Sequence, residues 1–208
     1  MEEVLPILVI PSLGIRDTVI FTWIAMALLI GLAYLLRARA PEAVEMLIDF
    51  VRGQIAGVMR GVDADPYIPF LGAMFLFLAV VNNLGVIPGL RTPTMDINST
   101  VAMAVVVLFA VHVFAIRAKG LRNYLKEKAT PLVILDVISD LSRTLALSLR
   151  LFGNILAGEI LVAVMYRLLP QGGPLPMIAL GLVTSLIQAY IFMVLTTSAI
   201  GTAVAPSS

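Results

Sequence analysis

The chain has 208 residues, of which 60% are hydrophobic and only 13% are charged. A typical soluble domain carries about 25% charged residues, so this composition excludes an ordinary water-soluble fold. The absence of cysteine excludes disulfides, thiolate metal sites and thiol nucleophiles, and a formal net charge of +1 gives no reason to expect a nucleic-acid partner. No polar stretch is long enough to enclose a separate soluble core, so we expect a single membrane domain over residues 1–208.

The amino-terminal quarter predicts one membrane span followed by a surface helix. The opening MEEVLPILVIPSLG has acids where a secretory signal has basic residues, and two prolines interrupt it, which predicts no cleavable signal. The run from Thr18 to Leu36 is nearly uncharged and close to the ~20 residues that cross the hydrocarbon layer. After Pro41, apolar residues recur every three or four positions among acids and arginines, which predicts an amphipathic helix along the membrane surface.

Two further apolar runs predict the second and third spans. The second runs from Pro69 to Pro88 and the third from Thr100 to Ile116. Between them, RTPTMDINST predicts a short loop that ends in a helix cap, supplied by Asp96, Asn98 or Ser99.

Basic residues are concentrated in two alternate loops, which predicts the orientation of the chain. Nine of the fourteen lie there: Arg37, Arg39, Arg52 and Arg60 after the first span, and Arg117, Lys119, Arg122, Lys126 and Lys128 after the third. By the positive-inside rule both loops face the cytoplasm or its equivalent. The amino terminus is then outside and, after five crossings, the carboxyl terminus is inside.

The last two apolar segments are too long for upright spans. Pro131 to Leu169 would extend ~58 Å as a helix and Pro174 to about Val204 ~45 Å, against a hydrocarbon thickness of ~30 Å. Strong tilt, or a course nearly in the membrane plane, accommodates such excess. The turn signal PQGGP at 170–174 predicts an antiparallel hairpin. The expected fold is therefore an all-α integral membrane protein, with about five membrane-crossing helices and one interfacial amphipathic helix.

Arg150 is the most informative residue of the long segment. A guanidinium at bilayer depth cannot lose its proton and persists only where it faces protein or water. On an ideal helix, Arg143 and Asn154 lie within about 40° of its direction, and Asp136 falls close to the same face. Glu159 points half a turn away, ~13 Å further along the axis. The fixed cation thus separates two acids, which suggests two aqueous half-channels that do not meet.

Other polar residues in the spans admit more than one interpretation. Gln188 falls between the levels of Arg150 and Glu159, where its amide could brace the arginine or hold water. His112 is the only histidine, and an interfacial position explains it about as well as a proton relay does. Structural roles are favoured for three more, an ion pair for Asp140 and interhelical hydrogen bonds for Asn82 and Asn83.

Four sequence blocks resemble subunit a of F-type ATP synthases. LSLRLFGNILAGE, followed by IQAYIFMVL, is similar to the family's arginine segment and last span. FLAVVNNLGVIPG and RTPTMDINST resemble its second span and the loop that follows. The likeness extends from roughly the first span to residue 201. It implies an ion-translocating stator subunit, with protons the expected ion, that is not catalytic alone and uses no cofactor or metal.

The resemblance also implies partners and residue roles. The partners are a ring of c-type hairpin subunits, each with one ionisable carboxylate, the b-type subunits of the peripheral stalk, the whole ATP synthase and the lipid bilayer. Arg150 would face the ring. The implied outer path comprises Glu159, Asn154 and Gln188, and the implied inner exit Asp136, Ser139, Ser142 and Arg143. Some members have a histidine facing the acid where this chain has Gly181, and bound water is the expected substitute.

Other functions remain open on the residues alone. A secondary transporter or channel acting without a rotor would show broken helices and repeat symmetry, and the sequence shows neither clearly. An intramembrane hydrolase is disfavoured by one histidine, no cysteine, no HExxH and no GxSxG. The expected location is a bacterial plasma membrane, with an organellar energy-coupling membrane as the alternative.

Overall fold

The computed structural model describes residues 17–59, 62–87, 90–128 and 133–205. The side chains of Asp17, Glu127, Lys128, Val133, Ile134, Asp136 and Val137 lie outside that description. Within these ranges the chain is helical and contains no strand: α1 (Asp17–Arg39), α2 (Pro41–Val58), α3 (Ile68–Asn83), α4 (Ile97–Lys119), α5 (Leu121–Lys128), α6 (Val133–Leu168) and α7 (Pro174–Val204). Short 3-10 turns cover Leu84–Val86 and Pro93–Met95.

Five of these helices, α1, α3, α4, α6 and α7, are long and apolar enough to cross a membrane. They coincide with the five predicted crossings, so the all-α membrane fold is confirmed. The ends differ by a few residues, because the sequence pattern marks the apolar run and not the helical turns that flank it. Pro88, Pro131 and Arg60, which bounded or supported the predictions, lie outside the described residues.

The local signals for helix ends act as their chemistry predicts. Of the three candidate caps of α4, Asp96 is the one used: its carboxylate accepts a hydrogen bond from the Asn98 backbone N–H at 2.9 Å. Gly120 follows the last residue of α4 with φ of 80°, a backbone conformation that glycine adopts without a steric penalty. Gly172 does the same in the turn between α6 and α7, with φ of 86°.

The core is formed by α3, α4, α6 and α7: α7 packs against each of the other three, and α4 also packs against α6. Leu71, Leu78, Leu151, Phe192 and Met193 are almost completely buried between them. α1 packs beside α3 and leaves most of its apolar surface exposed, as expected of a helix surrounded by lipid. α1 is therefore peripheral to the four-helix core.

α2 is the predicted amphipathic helix, and it is attached to the core on one side only. Val51 and Ile55 are buried against α3 and α7. The Tyr190 hydroxyl of α7 donates a 2.7 Å hydrogen bond to Gln54 Oε1. On the exposed side, Arg52 pairs with Asp49 at 3.3 Å and with Asp65 at 3.1 Å, and such exposed pairs contribute little to stability.

α6 and α7 form the predicted antiparallel hairpin, and both are uninterrupted. The 36 residues of α6 correspond to about 54 Å and the 31 of α7 to about 47 Å of ideal helix. One element was not predicted: the basic connection after α4 contains the eight-residue helix α5. Its composition is hydrophilic, so the membrane-span pattern gave no indication of it.

Candidate functional site

Arg150 lies on an exposed face of α6, at the edge where α6 meets α7. Leu147, three residues earlier, and Leu151, the next residue, are buried in the core, whereas Arg150 is exposed. Ala146 and Gly153 share its exposed face and present little or no side chain. The guanidinium is thus accessible from outside the chain, with room for another helix to approach closely.

A cavity of about 300 Å³, here named the Glu159 cavity, opens toward the carboxyl-terminal part of α6. It lies between α6, α7, the end of α3 and the turn that follows α3. Its polar lining consists of Asn82, Asn83, Thr92, Asn154, Glu159, Tyr166, Thr184 and Ser185, with Gly85, Gly158 and Gly181 among the remaining residues.

The carboxylate of Glu159 is held close to the turn after α3. The side chain of buried Thr92 hydrogen-bonds this carboxylate, and the same hydroxyl accepts a 3.2 Å hydrogen bond from the Gly85 backbone N–H. A β-carbon at Gly85 would stand 2.8 Å from Glu159 Oε1. Glycine at this position is therefore what lets the acid approach the backbone, a contact that no sequence pattern predicted.

Asn82 links α3 to the 3-10 turn at Pro93–Met95, whereas Asn83 bonds within α3 and not, as had been expected, to another helix; both contribute to the cavity wall. The Thr94 hydroxyl donates to Asn82 Oδ1 at 2.9 Å, and Asn83 Nδ2 donates to the Ala79 carbonyl at 2.7 Å. Their other amide atoms, Asn82 Nδ2 and Asn83 Oδ1, are buried without a hydrogen-bond partner in the described part of the chain. Buried polar atoms normally have partners, so this wall is suited to binding water or a hydrated ion.

A second cavity, of about 240 Å³ and named the His112 cavity, lies toward the other end of α6. Helices α4, α5, α6 and α7 enclose it. Its polar lining consists of His112, Lys119, Tyr124, Ser139, Asp140, Arg143 and Thr202. Charged side chains of both signs therefore face this space, in contrast to the mostly neutral walls of the Glu159 cavity.

The exposed arginine borders a third and smaller space, the Arg150 groove of about 210 Å³. Arg143, Ala199 and Thr202 line both this groove and the His112 cavity, so the two spaces adjoin. Neither shares a lining residue with the Glu159 cavity. Along α6, Arg150 thus lies between two separate cavities. The groove that it lines adjoins only one of them, the His112 cavity.

Comparison with known proteins identifies the family of this chain. The family model of the ATP synthase A chain matches residues 19–200. The chain belongs to the ATP synthase subunit a family. It is 40% identical to ATP synthase subunit a 2 of Bradyrhizobium sp. strain BTAi1, with 94% of this chain and 92% of that protein covered. Identity to ATP synthase subunit a 2 of Acaryochloris marina is 38%, with 88% and 82% covered, and to that of a Picosynechococcus strain 39%, with 87% and 82% covered.

Family membership establishes the coarse function. The chain is a multi-pass membrane protein and the proton-translocating component of the membrane sector of an F-type ATP synthase, without catalytic activity of its own. The relatives named above are bacterial. The recognition of subunit a from the four sequence blocks is confirmed.

The structure groups the predicted site residues into the two cavities. Asn154 and Glu159 line one, and His112, Ser139 and Arg143 line the other. Three more lie elsewhere: Gln188 is buried within the helix packing, Ser142 is exposed on α6, and the side chain of Asp136 lies outside the described residues.

Two predictions of side-chain placement need refinement. Asn154 was expected to share the face of Arg150, but its amide lines the Glu159 cavity, because the offset of about 40° is enough to turn it toward the space beside α3. Asp140 was given only an ion pair, and its carboxylate also lines the His112 cavity. Helix periodicity predicts the face of its own helix on which a residue lies, but not which neighbouring helix packs against that face to complete a cavity wall.

Proposed function

We propose that the chain provides the ion path of the membrane sector, with the Glu159 cavity and the His112 cavity as two half-channels offset along α6. Arg150 is the fixed cation between them and faces the ring of c-type subunits. One observation supports this most directly: an exposed arginine lies between two polar cavities whose linings have no residue in common.

The role of Arg150 follows from its permanent charge. A guanidinium favours the ionised form of a carboxylate that comes within a few ångströms, so a ring carboxylate that reaches Arg150 releases its proton. The same charge repels a cation moving directly from one cavity to the other. Ala146 and Gly153 allow the ring helix to come close enough for both effects.

Ions enter through the Glu159 cavity. Its carboxylate concentrates cations, and Asn154 together with the amides of Asn82 and Asn83 can hold the water that carries a proton. Gly181 lies in the same wall, where some family members have a histidine, so water takes that place. Gln188 supports the path indirectly, since its side chain is buried within the helix packing.

Ions leave through the Arg150 groove and the His112 cavity. Ser139 and Arg143 line this route, and Ser142 and Asp136 belong to the same stretch of α6. The basic residues at the end of α4 and in α5 are on this side of the molecule, which makes it the inner side by the positive-inside rule. The amino terminus is then outside and the carboxyl terminus inside, with b-type stalk subunits as the remaining partners.

Replacing Arg150 with alanine in the reconstituted complete ATP synthase tests the proposal. We expect loss of ATP synthesis driven by an imposed proton gradient, because nothing then forces the ring carboxylate to ionise. The matched control is Arg167→Ala, which removes an exposed arginine from the last turn of the same helix. Synthesis at the normal yield in the Arg150 variant, with an intact complex, would refute the assigned role.

A further inference from the structure

His112 and Asp140 face each other across the His112 cavity. The Nε2 atom of His112, on α4, lies 3.8 Å from Asp140 Oδ2, on α6. Both side chains are partly exposed, to 36% and 24%, and both line the His112 cavity as well as a neighbouring apolar groove beside Phe109. The two groups are close enough for strong electrostatic coupling or for one bridging water, and they are accessible to an ion in the cavity.

The other ring nitrogen of His112 fixes which atom can exchange a proton. Nδ1 lies 2.7 Å from the carbonyl oxygen of Leu108, one turn earlier on the same helix. A carbonyl has no hydrogen to give, so Nδ1 must carry one and donate it. The neutral imidazole therefore presents the lone pair of Nε2 toward Asp140. A lone pair directed at a carboxylate is a site that a proton stabilises.

We propose that His112 and Asp140 form a single proton-binding unit in the exit path, with Asp140 as a functional residue and not only an ion-pair partner. This inference rests on the proposed function of the two cavities. A proton that leaves the ring carboxylate travels through water in the Arg150 groove and binds Nε2, which gives an imidazolium paired with the Asp140 carboxylate. The same proton then passes from Nε2 to water at the mouth of the cavity, and the Nδ1 hydrogen stays in place. The unit returns to its starting state.

The surrounding charges favour release as well as uptake. α4 contributes Lys119 to the same cavity, α5 contributes Tyr124, whose ring centroid is 6.3 Å from that of His112, and α6 contributes Arg143. The two cations oppose a charged imidazole, and Asp140 favours it. The nearby α7 wall contributes Ala199, Thr202 and Ala203, none of them titratable. Charges of both signs therefore act on a proton held between His112 and Asp140.

The position of the unit matches an exit. The cavity that holds it adjoins the Arg150 groove through Arg143, Ala199 and Thr202, and it is separate from the Glu159 cavity. A proton released beside Arg150 therefore meets this unit before it reaches the basic surface of α5. The sequence alone leaves the relay role of His112 open, because its partner Asp140 lies on a different helix, α6.

The test uses the complete ATP synthase in vesicles, with ATP-driven proton pumping measured while the pH on the His112 side is varied. We expect His112→Gln and Asp140→Asn each to lower pumping about 10-fold, less than a positioned acid or base can contribute, because water replaces part of the relay. The dependence of pumping on the pH of that side should flatten in the His112 variant. The double variant should be no slower than the slower single variant, since both changes disable one unit.

Two further variants separate function from folding. Asp140→Glu retains the carboxylate and should restore most of the rate, whereas a purely structural role gives no reason for rescue together with an altered pH profile in Asp140→Asn. Asp49→Asn makes the same chemical change at an exposed carboxylate on α2 and should pump normally.

The outcomes distinguish this inference from the proposed function. If Arg150→Ala and Glu159→Gln lose flux while His112→Gln and Asp140→Asn keep the wild-type rate and pH profile, the proton-binding unit is overturned and the two-cavity path stands. If Arg150→Ala retains coupled pumping, the proposed function fails irrespective of the pair.

Discussion

The two cavities on α6 differ in the chemistry of their walls. The Glu159 cavity has a single described acid among amides and hydroxyls, and its acid is held by Thr92 and by the close approach of Gly85. The His112 cavity contains an acid, a histidine and two cations. A neutral wall with one fixed acid is suited to collecting ions from solution. A wall in which two cations face one acid is suited to letting cations go.

The strongest test of this contrast is Glu159→Gln. We expect proton flux through the reconstituted complex to fall by about 100-fold, because the only acid described in that cavity is lost. The complex should remain assembled, since the amide has nearly the same shape, and subunit content after purification checks this. Flux at the wild-type rate would show that collection does not depend on the acid and would remove the basis of the contrast.

Gly85→Ala probes the position of the acid and not its presence. A methyl group there would stand 2.8 Å from Glu159 Oε1 and closer still to the Thr92 hydroxyl, so the carboxylate must move away. Misplacing a reacting group by about 1 Å is costly, and we expect flux to fall about 10-fold. The matched control is Gly57→Ala on α2, where an added β-carbon meets nothing within 4 Å. Equal flux in the two variants would mean that the acid tolerates displacement.

Thr92→Val removes the hydroxyl that joins Glu159 to the Gly85 backbone. The Gly85 N–H then loses its acceptor, which costs about 1–3 kcal/mol of stability when the group is buried. We expect a flux decrease of a few-fold, smaller than for Gly85→Ala because the space around the acid stays open. Thermal unfolding of the purified complex in detergent measures the stability change, and Thr92→Ser, which retains the hydroxyl, should restore both quantities.

Ser139→Ala should have the smallest effect of these variants, and it tests a hydroxyl in the His112 cavity for comparison with Thr92 in the Glu159 cavity. Ser139 lines the His112 cavity as a neutral group among charged ones, so its loss should change flux by less than about 2-fold. A decrease as large as that of Thr92→Val would show that hydroxyls matter equally in both cavities. The two walls would then differ less in function than in composition.

The helices were largely predictable because their signals are local. α7 was predicted with the same ends that the structure shows, since Pro174 starts it beside a glycine turn and the apolar run continues without a break. α5 was missed because a short hydrophilic helix gives no membrane-span pattern. Asp96 was among three possible caps, and only the backbone geometry selects one.

The positions of the site residues along α6 were predictable, but their contacts with residues of other segments were not. The order of Ser139, Arg143, Arg150 and Glu159 follows from helix periodicity and residue type alone. The contacts of Glu159 with Thr92 and Gly85, and of Asp140 with His112, join segments separated by many residues. Such contacts depend on how the helices pack, and a single sequence has no local signal for that.

Because α6 is an uninterrupted helix, it fixes the distances between the site residues along the membrane sector. Arg143 and Glu159, sixteen positions apart on one rod without a proline, keep a spacing of about 24 Å whatever the thickness of the surrounding lipid. A change in bilayer thickness is then absorbed by the inclination of the whole rod and not by stretching the route. Under the proposed function, rotation of the ring of c-type subunits controls which cavity a ring carboxylate can reach. This subunit then needs no gate of its own.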